Sequence, residues 1–164
     1  MTILVKNKHT LQIGDFKFRC SIGKKGFTKN KKEGDKKTPK GTFEIDNLYF
    51  RNDRKQKPST LLNCIKIKKN MGWCNDASFP KKYNKLFKIQ KNIRHEKLKR
   101  KDYKYDFIIP IKYNFKKPII GHGSCIFIHL TKDYKPTAGC IALKEKDFLI
   151  MAKLIKKNSK IRIF

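Results

Sequence analysis

The sequence predicts a mainly β domain with one amphipathic helix in its C-terminal half, and three observations carry that expectation. Short apolar alternations separated by turn signals fill the first half, a single helical-period segment lies near the end, and 38% apolar residues accompany 34% charged ones. Period-two alternation marks half-buried strands, and 164 residues can bury a core without disulfides or a structural metal. One domain over residues 1–164 is expected, because no repeat or composition break divides the chain.

Taken in order, "TILVK", "LQIG", "FKFRCSIG", "GTFEIDNLYF" and "NCIKIKK" read as strands. Between Gly23 and Gly41, the Lys- and Gly-rich "GKKGFTKNKKEGDKKTPKG" reads as a long flexible loop. Residues 71–103 read as an irregular elaboration over one end of the sheet, with a helical turn near His95 to Arg100. "YDFIIPIKYN" reads as a buried strand whose Pro110, lacking an N–H, favours an edge or a bulge. "KEKDFLIMAKLIKK" sets Phe148, Met151, Ala152 and Ile155 at helical spacing, with Glu145 and Asp147 at its start and lysines at its end, as the helix dipole favours. "KIRIF" closes the chain as a strand.

The formal net charge is +29, and only six of the 42 basic residues are arginine: Arg19, Arg51, Arg54, Arg94, Arg100 and Arg162. Such a field attracts any polyanion, but base reading leans on the planar fork of arginine. A solvated basic surface is therefore expected, and specific nucleic-acid binding is not. No run approaches the roughly 18 apolar residues of a membrane span. The N-terminus alternates like strands and lacks the layout of a signal peptide, and five cysteines form no evident disulfide framework. If the chain is complete, a cytoplasmic location is expected; if an export signal has been trimmed, the periplasm or cell envelope.

The chemistry concentrates in "HGSCIFIHLTKDYKPTAGC", His122 to Cys140. Read as a strand, "SCIFIHL" turns Ser124, Ile126, Ile128 and Leu130 one way and Cys125, Phe127 and His129 the other. Pro136 and Gly139 can then turn the chain back, returning Cys140 beside His129. A thiol near pKa 8.5 is mostly protonated at neutral pH, and an adjacent imidazole can take its proton, which is the minimum for acyl transfer. A core cysteine beside a hydrogen-bonded histidine, without chemistry, fits the same spacing. Zinc held by His122, Cys125, His129 and Cys140 is disfavoured, because no C-x-x-C pair is present. No metal or cofactor is expected.

"EGDKKTPKGTF" resembles a Thr-Pro-x-Gly-x-Phe segment, and "GHGSCIFIHL…PTAGCIAL" a His-then-Cys active-site block, of the L,D-transpeptidase catalytic domain (YkuD) family. "RNDR", "GWCND", "YN", "HEKL" and "YDFII" are similar, in order, to a short alphaproteobacterial subgroup, so the resemblance runs nearly the whole length. It implies a β-sandwich or open barrel, with Cys140 as nucleophile, His129 as base, and oxyanion donors from the backbone around Gly139 and Cys140. It also implies a peptidoglycan stem tetrapeptide or muropeptide as substrate, attacked at the L-centre carbonyl of its third residue, usually a diamino acid, with release of D-alanine. Water as acceptor makes an L,D-carboxypeptidase, the favoured expectation here; an amine from another stem makes a crosslink. The commoner signature has a histidine where Ala138 stands and an arginine where Ala142 stands, so any role of those side chains must pass to other groups. Trp73, Tyr83, Asn84, His95 and Glu96 are candidate pocket residues in the resembling segments. Lys36, Lys37, Arg51 and Arg54 are candidates for steering acidic stems, and His122 and Cys125 for packing or support.

Overall fold

The computed structural model describes residues 1–164. Its strands are β1 (Thr2–Asn7), β2 (Thr10–Ile13), β3 (Phe16–Arg19), β4 (Phe27–Thr28), β5 (Thr38–Pro39), β6 (Gly41–Glu44), β7 (Leu48–Phe50) and β8 (Cys64–Lys66). There follow β9 (Met71–Cys74), β10 (Leu86–Lys88), β11 (His95–Lys97), β12 (Phe107–Pro110), β13 (Phe127–Leu130) and β14 (Ile141–Leu143), then helix α1 (Glu145–Leu154) and strand β15 (Lys160–Ile163). No helix is long and apolar enough to cross a membrane.

Two five-stranded sheets form the body, in the orders β3-β2-β1-β15-β6 and β14-β13-β12-β7-β8. Their facing side chains, with Phe148, Met151 and Ala152 of α1, make one 25-residue apolar core. The second sheet is buried on its other face as well. There Tyr49, Ile108 and Phe127 meet Trp73 and Leu98, contributed by the small sheet β10-β9-β11 and its exit. Alternation along the strands makes this partition: Leu48 and Phe50, Phe107 and Ile109, Ile126 and Ile128 enter the large core, while Tyr49, Ile108 and Phe127 enter the small one. A sheet covered on both faces reads as continuous apolar runs, which is why "LYF" and "FII" lack polar alternation. The fold is mainly β, as a sandwich with a third small layer.

Three expectations are corrected. The His95–Arg100 segment forms strand β11, pairing His95 with Cys74 and Glu96 with Trp73, rather than a helical turn. Pro110 ends a central strand, not an edge one: β12 lies between β13 and β7, and the carbonyl of Pro110 accepts from Asp46 N–H at 2.9 Å. Ending the strand there removes the need for an N–H in the ladder. The 23–41 segment is an ordered strap instead of a flexible loop. It carries β4 and β5, buries Thr38 completely and leaves Lys31 only 5% exposed.

Phe148 is fully buried and its ring lies 5.9 Å from that of Phe107, joining α1 to the central sheet. Phe148→Ala is expected to cost about 3–5 kcal/mol by deleting buried contacts and leaving a cavity, measured as a lowered denaturant midpoint with the slope unchanged.

Candidate active site

Strands β13 and β14 run parallel, with His129 opposite Ala142. Cys140 precedes Ala142 by two positions and so faces the same side as His129, the side away from the large core. The turn before β14 is held from within and from outside. Thr137 Oγ1 donates to the Cys140 carbonyl at 2.6 Å and accepts the Gly139 N–H at 3.1 Å. Gly139 has φ +144°, and a Cβ there would sit 2.9 Å from the Lys37 carbonyl oxygen, so the strap can approach only because this residue is glycine. Thr38 completes that approach: its hydroxyl donates to the Gly139 carbonyl at 2.9 Å and accepts the Gly23 N–H at 2.9 Å.

Their surroundings shift both Cys140 and His129 toward the neutral form. Burial pushes the Cys140 thiol up to about 12, opposed by a smaller lowering from the Phe127 N–H, which donates to Sγ at 3.4 Å. The thiol donates to the Cys125 carbonyl at 3.2 Å. His129 is 8% exposed, and burial pushes its imidazole down to about 4 despite a hydrogen bond to the Leu130 carbonyl, 2.9 Å from Nδ1. A neutral ring donates from Nδ1 in that bond, which leaves the Nε2 lone pair as the basic site. The Tyr105 ring packs edge-on against His129 at 5.6 Å and fixes the imidazole plane. The Cys140 N–H has no intramolecular acceptor and is free to bind an oxyanion, whereas the Gly139 N–H is already committed to Thr137.

A cavity of about 590 Å³ opens over Cys140, Gly139 and His129, and Glu96 lines it too. Trp73, Tyr83 and Asn84 are buried behind its wall. Asn84, at φ +55°, accepts from Trp73 Nε1 at 2.9 Å and from Cys125 N–H at 3.1 Å, and donates to the Tyr113 and Asn114 carbonyls. It thereby supports Cys125, itself at φ +54°, whose carbonyl receives the Cys140 thiol. His95 lies elsewhere, its Nδ1 against the Ile93 carbonyl in a separate depression with Lys68 and Lys97. Arg51 and Arg54 are also outside the cavity. Arg51 forks onto Asp53 and donates to the Arg100 carbonyl, while Arg54 donates to the carbonyls of Arg100, Lys101 and Asp102. Together they brace the segment that carries Arg100 to the cavity rim. Lys36 and Lys37 do not line it; His122 is exposed, with its carbonyl bonded to Tyr113 OH. His122, Cys125, His129 and Cys140 do not converge as a metal-ligand set.

Several cavity residues escaped the sequence reading. Glu33 reaches in from the strap, where Tyr83 OH and Ser124 Oγ donate to its Oε2. Arg100, Lys104 and Tyr105 line it as well, with Tyr105 OH donating to Glu96 at 3.0 Å. Glu33 did stand inside the resembling segment "EGDKKTPKGTF", which was the one signal available.

Residues 1–163 match the family described as the L,D-transpeptidase catalytic domain, YkuD. Among solved structures, the helical cell shape determining protein Pgp2 from Campylobacter jejuni superposes with a TM-score of 0.54 at 17% identity, covering 99% of this chain and 46% of that one. A point mutant of the same protein gives 0.51 at 18% identity, with the same coverage. The chain thus spans about half the length of these structures, and at such identities the likeness shows the shared fold. No curated protein matches the sequence. The strap, the parallel β13–β14 pair and the cysteine-bearing turn are features of a chain that belongs to the L,D-transpeptidase catalytic domain family, YkuD.

Proposed function

We propose that this chain cleaves the terminal D-alanine from peptidoglycan stem tetrapeptides through a thioester on Cys140, with water as the acceptor. The observation that carries this is a half-buried thiol and a buried imidazole on one face of adjacent parallel strands, both opening into the same cavity. His129 Nε2 takes the thiol proton as Sγ attacks the L-centre carbonyl of the third residue. The Cys140 N–H then faces the developing oxyanion, and the Phe127 N–H the sulfur. Collapse breaks the C–N bond, the imidazolium returns the proton to the leaving amine, and D-alanine departs. Water, deprotonated by His129, opens the thioester and restores the thiol. A cavity of about 590 Å³ is of a size for the end of one stem, and water needs no groove of its own.

Cys140→Ala and His129→Ala are each expected to lower D-alanine release by at least about a thousandfold while leaving the fold intact. Mass spectrometry of a disaccharide-tetrapeptide reaction, run with and without a second stem, checks both the loss and the acceptor. Tripeptide alone supports hydrolysis, and a crosslinked dimer would make the chain a transpeptidase. Full activity of Cys140→Ala would end the acyl-enzyme reading.

The charge states set two pH dependences. kcat/KM should hold level through neutrality and fall on an acid limb near pH 4, where His129 of the free enzyme protonates. An alkaline limb close to neutrality would instead report a resting thiolate–imidazolium pair. Stability follows the same group: above the ordinary histidine pKa of about 6.5 both folded and unfolded chains carry neutral His129. Between there and about 4 the unfolded chain alone takes the proton. The folded state should therefore lose on the order of 3 kcal/mol from His129 as pH falls through that window, a loss that His129→Gln should remove in denaturant titrations at pH 7 and pH 4.

A further inference from the structure

The ionic groups of the cavity pair off, with two exceptions. Lys31 holds Asp35, Arg100 holds Glu96 and Asp102, and Lys135 holds Asp133. Lys104 is left without a carboxylate and Glu33 without a cation, and both line the cavity. Glu33 is fixed through one oxygen only, Oε2, by Tyr83 and Ser124, which leaves Oε1 unbonded. Of the three carboxylates that line the cavity, Glu33, Glu96 and Asp133, Glu33 is the one that no cation holds.

The two unpaired charges stand at opposite ends of one stretch of backbone. Ser124 Oγ donates to Glu33 at 2.8 Å, and Leu130 N–H donates to the Lys104 carbonyl at 3.0 Å. Between them Cys140 Sγ lies against Cys125 and Phe127. Strand β13 begins only at Phe127 and Cys125 bends the chain at φ +54°, so Ser124 and Leu130 stand closer than the roughly 20 Å that six extended steps would span. Lys104 belongs to the base's end of the cavity: after burial, its charge is among those that hold the His129 imidazole down.

We propose that Lys104 and Glu33 fix the direction of a zwitterionic peptide across the nucleophile. Lys104 takes the free carboxylate of the residue to be expelled, and Glu33 takes an ammonium on the residue whose carbonyl is attacked. The reversed peptide would set carboxylate against Glu33 and ammonium against Lys104, so one orientation presents its carbonyl to Sγ. This rests on the acyl-transfer reading of Cys140 but concerns different residues.

Three probes test it: a stem tetrapeptide with L-lysine third, its C-terminal amide, and its Nε-acetyl form. With the unsubstituted protein, each cap should lower kcat/KM about tenfold, the value of one charge-assisted hydrogen bond. Lys104→Gln should erase the penalty of the amide alone, Lys104→Arg should keep it, and Glu33→Gln should erase the penalty of the acetyl group alone. Penalties that persist in the matching variants overturn the assignment. Equal rates for capped and uncapped probes on the unsubstituted protein do so as well, without any variant having to fold. The same ratios read as Kd by calorimetry on Cys140→Ala separate the two proposals. Charge-selective binding without turnover in the unsubstituted protein would sustain the charge pair and sink the reaction, whereas binding blind to both caps would sink the charge pair.

Discussion

The pairing of β13 with β14 in parallel register, His129 opposite Ala142, is the constraint on which the site depends. Two strands that run the same way need a crossover, and here the nine residues between Leu130 and Cys140 make it over the sheet's end. The register decides which side chains share a face. One residue of slip would turn Cys140 toward the large core and set Gly139 or Ile141 in its place on the face of His129. Ile128, Leu130, Ile141 and Leu143, all buried in that core, hold the register against such a slip.

The second covering of the same sheet supplies the electrostatics. Because Tyr105, Phe127 and Trp73 pack on the face that bears His129 and Cys140, both reactive groups lie in surroundings poor in water. Low polarity penalises charge on either group, raising one and lowering the other. The outcome is a thiol and an imidazole that both favour their neutral forms. Asn84 extends this control through the chain. Its amide is fully used, and the left-handed Cys125 that it supports presents a carbonyl to the thiol.

Much of this was legible in the chain itself. The strands of both sheets other than β14, together with α1 and the opposed faces of "IFIHL", follow from the order of residues, because burial on one or two faces writes itself into it. The strand read from "SCIFIHL" starts only at Phe127, since Cys125 turns left-handed. The small sheet was not legible. Strands β9, β10 and β11 have three or four residues each, and "HEKL" carries charges at helical spacing, so local preference pointed away from the pairing with Trp73 and Cys74 that tertiary contact enforces. The strap was misread for a related reason. Its order comes from Thr38, Glu33 and Gly139, contacts made across most of the sequence, and lysine content says nothing about them. At the site, Cys140, His129 and Glu96 stand at the cavity. Arg51, Arg54 and His95 stand away from it, since a resembling segment marks residues that recur together without saying which of them face the opening.

The last strand, β15, has a further meaning for how the molecule comes to exist. It is inserted between β1, with which it runs parallel, and β6, so the first sheet cannot close until the final residues are available. The clasp from Thr38 to Gly139 likewise joins positions 101 residues apart. Contacts of such separation carry a large loop-closure cost before they return any stabilisation, and folds dominated by them assemble slowly. On a ribosome, the half-built chain would carry β1 and β6 without the strand that joins them and His129 without Cys140. The cavity over Cys140 and His129 is complete only when these long-range joins have been made.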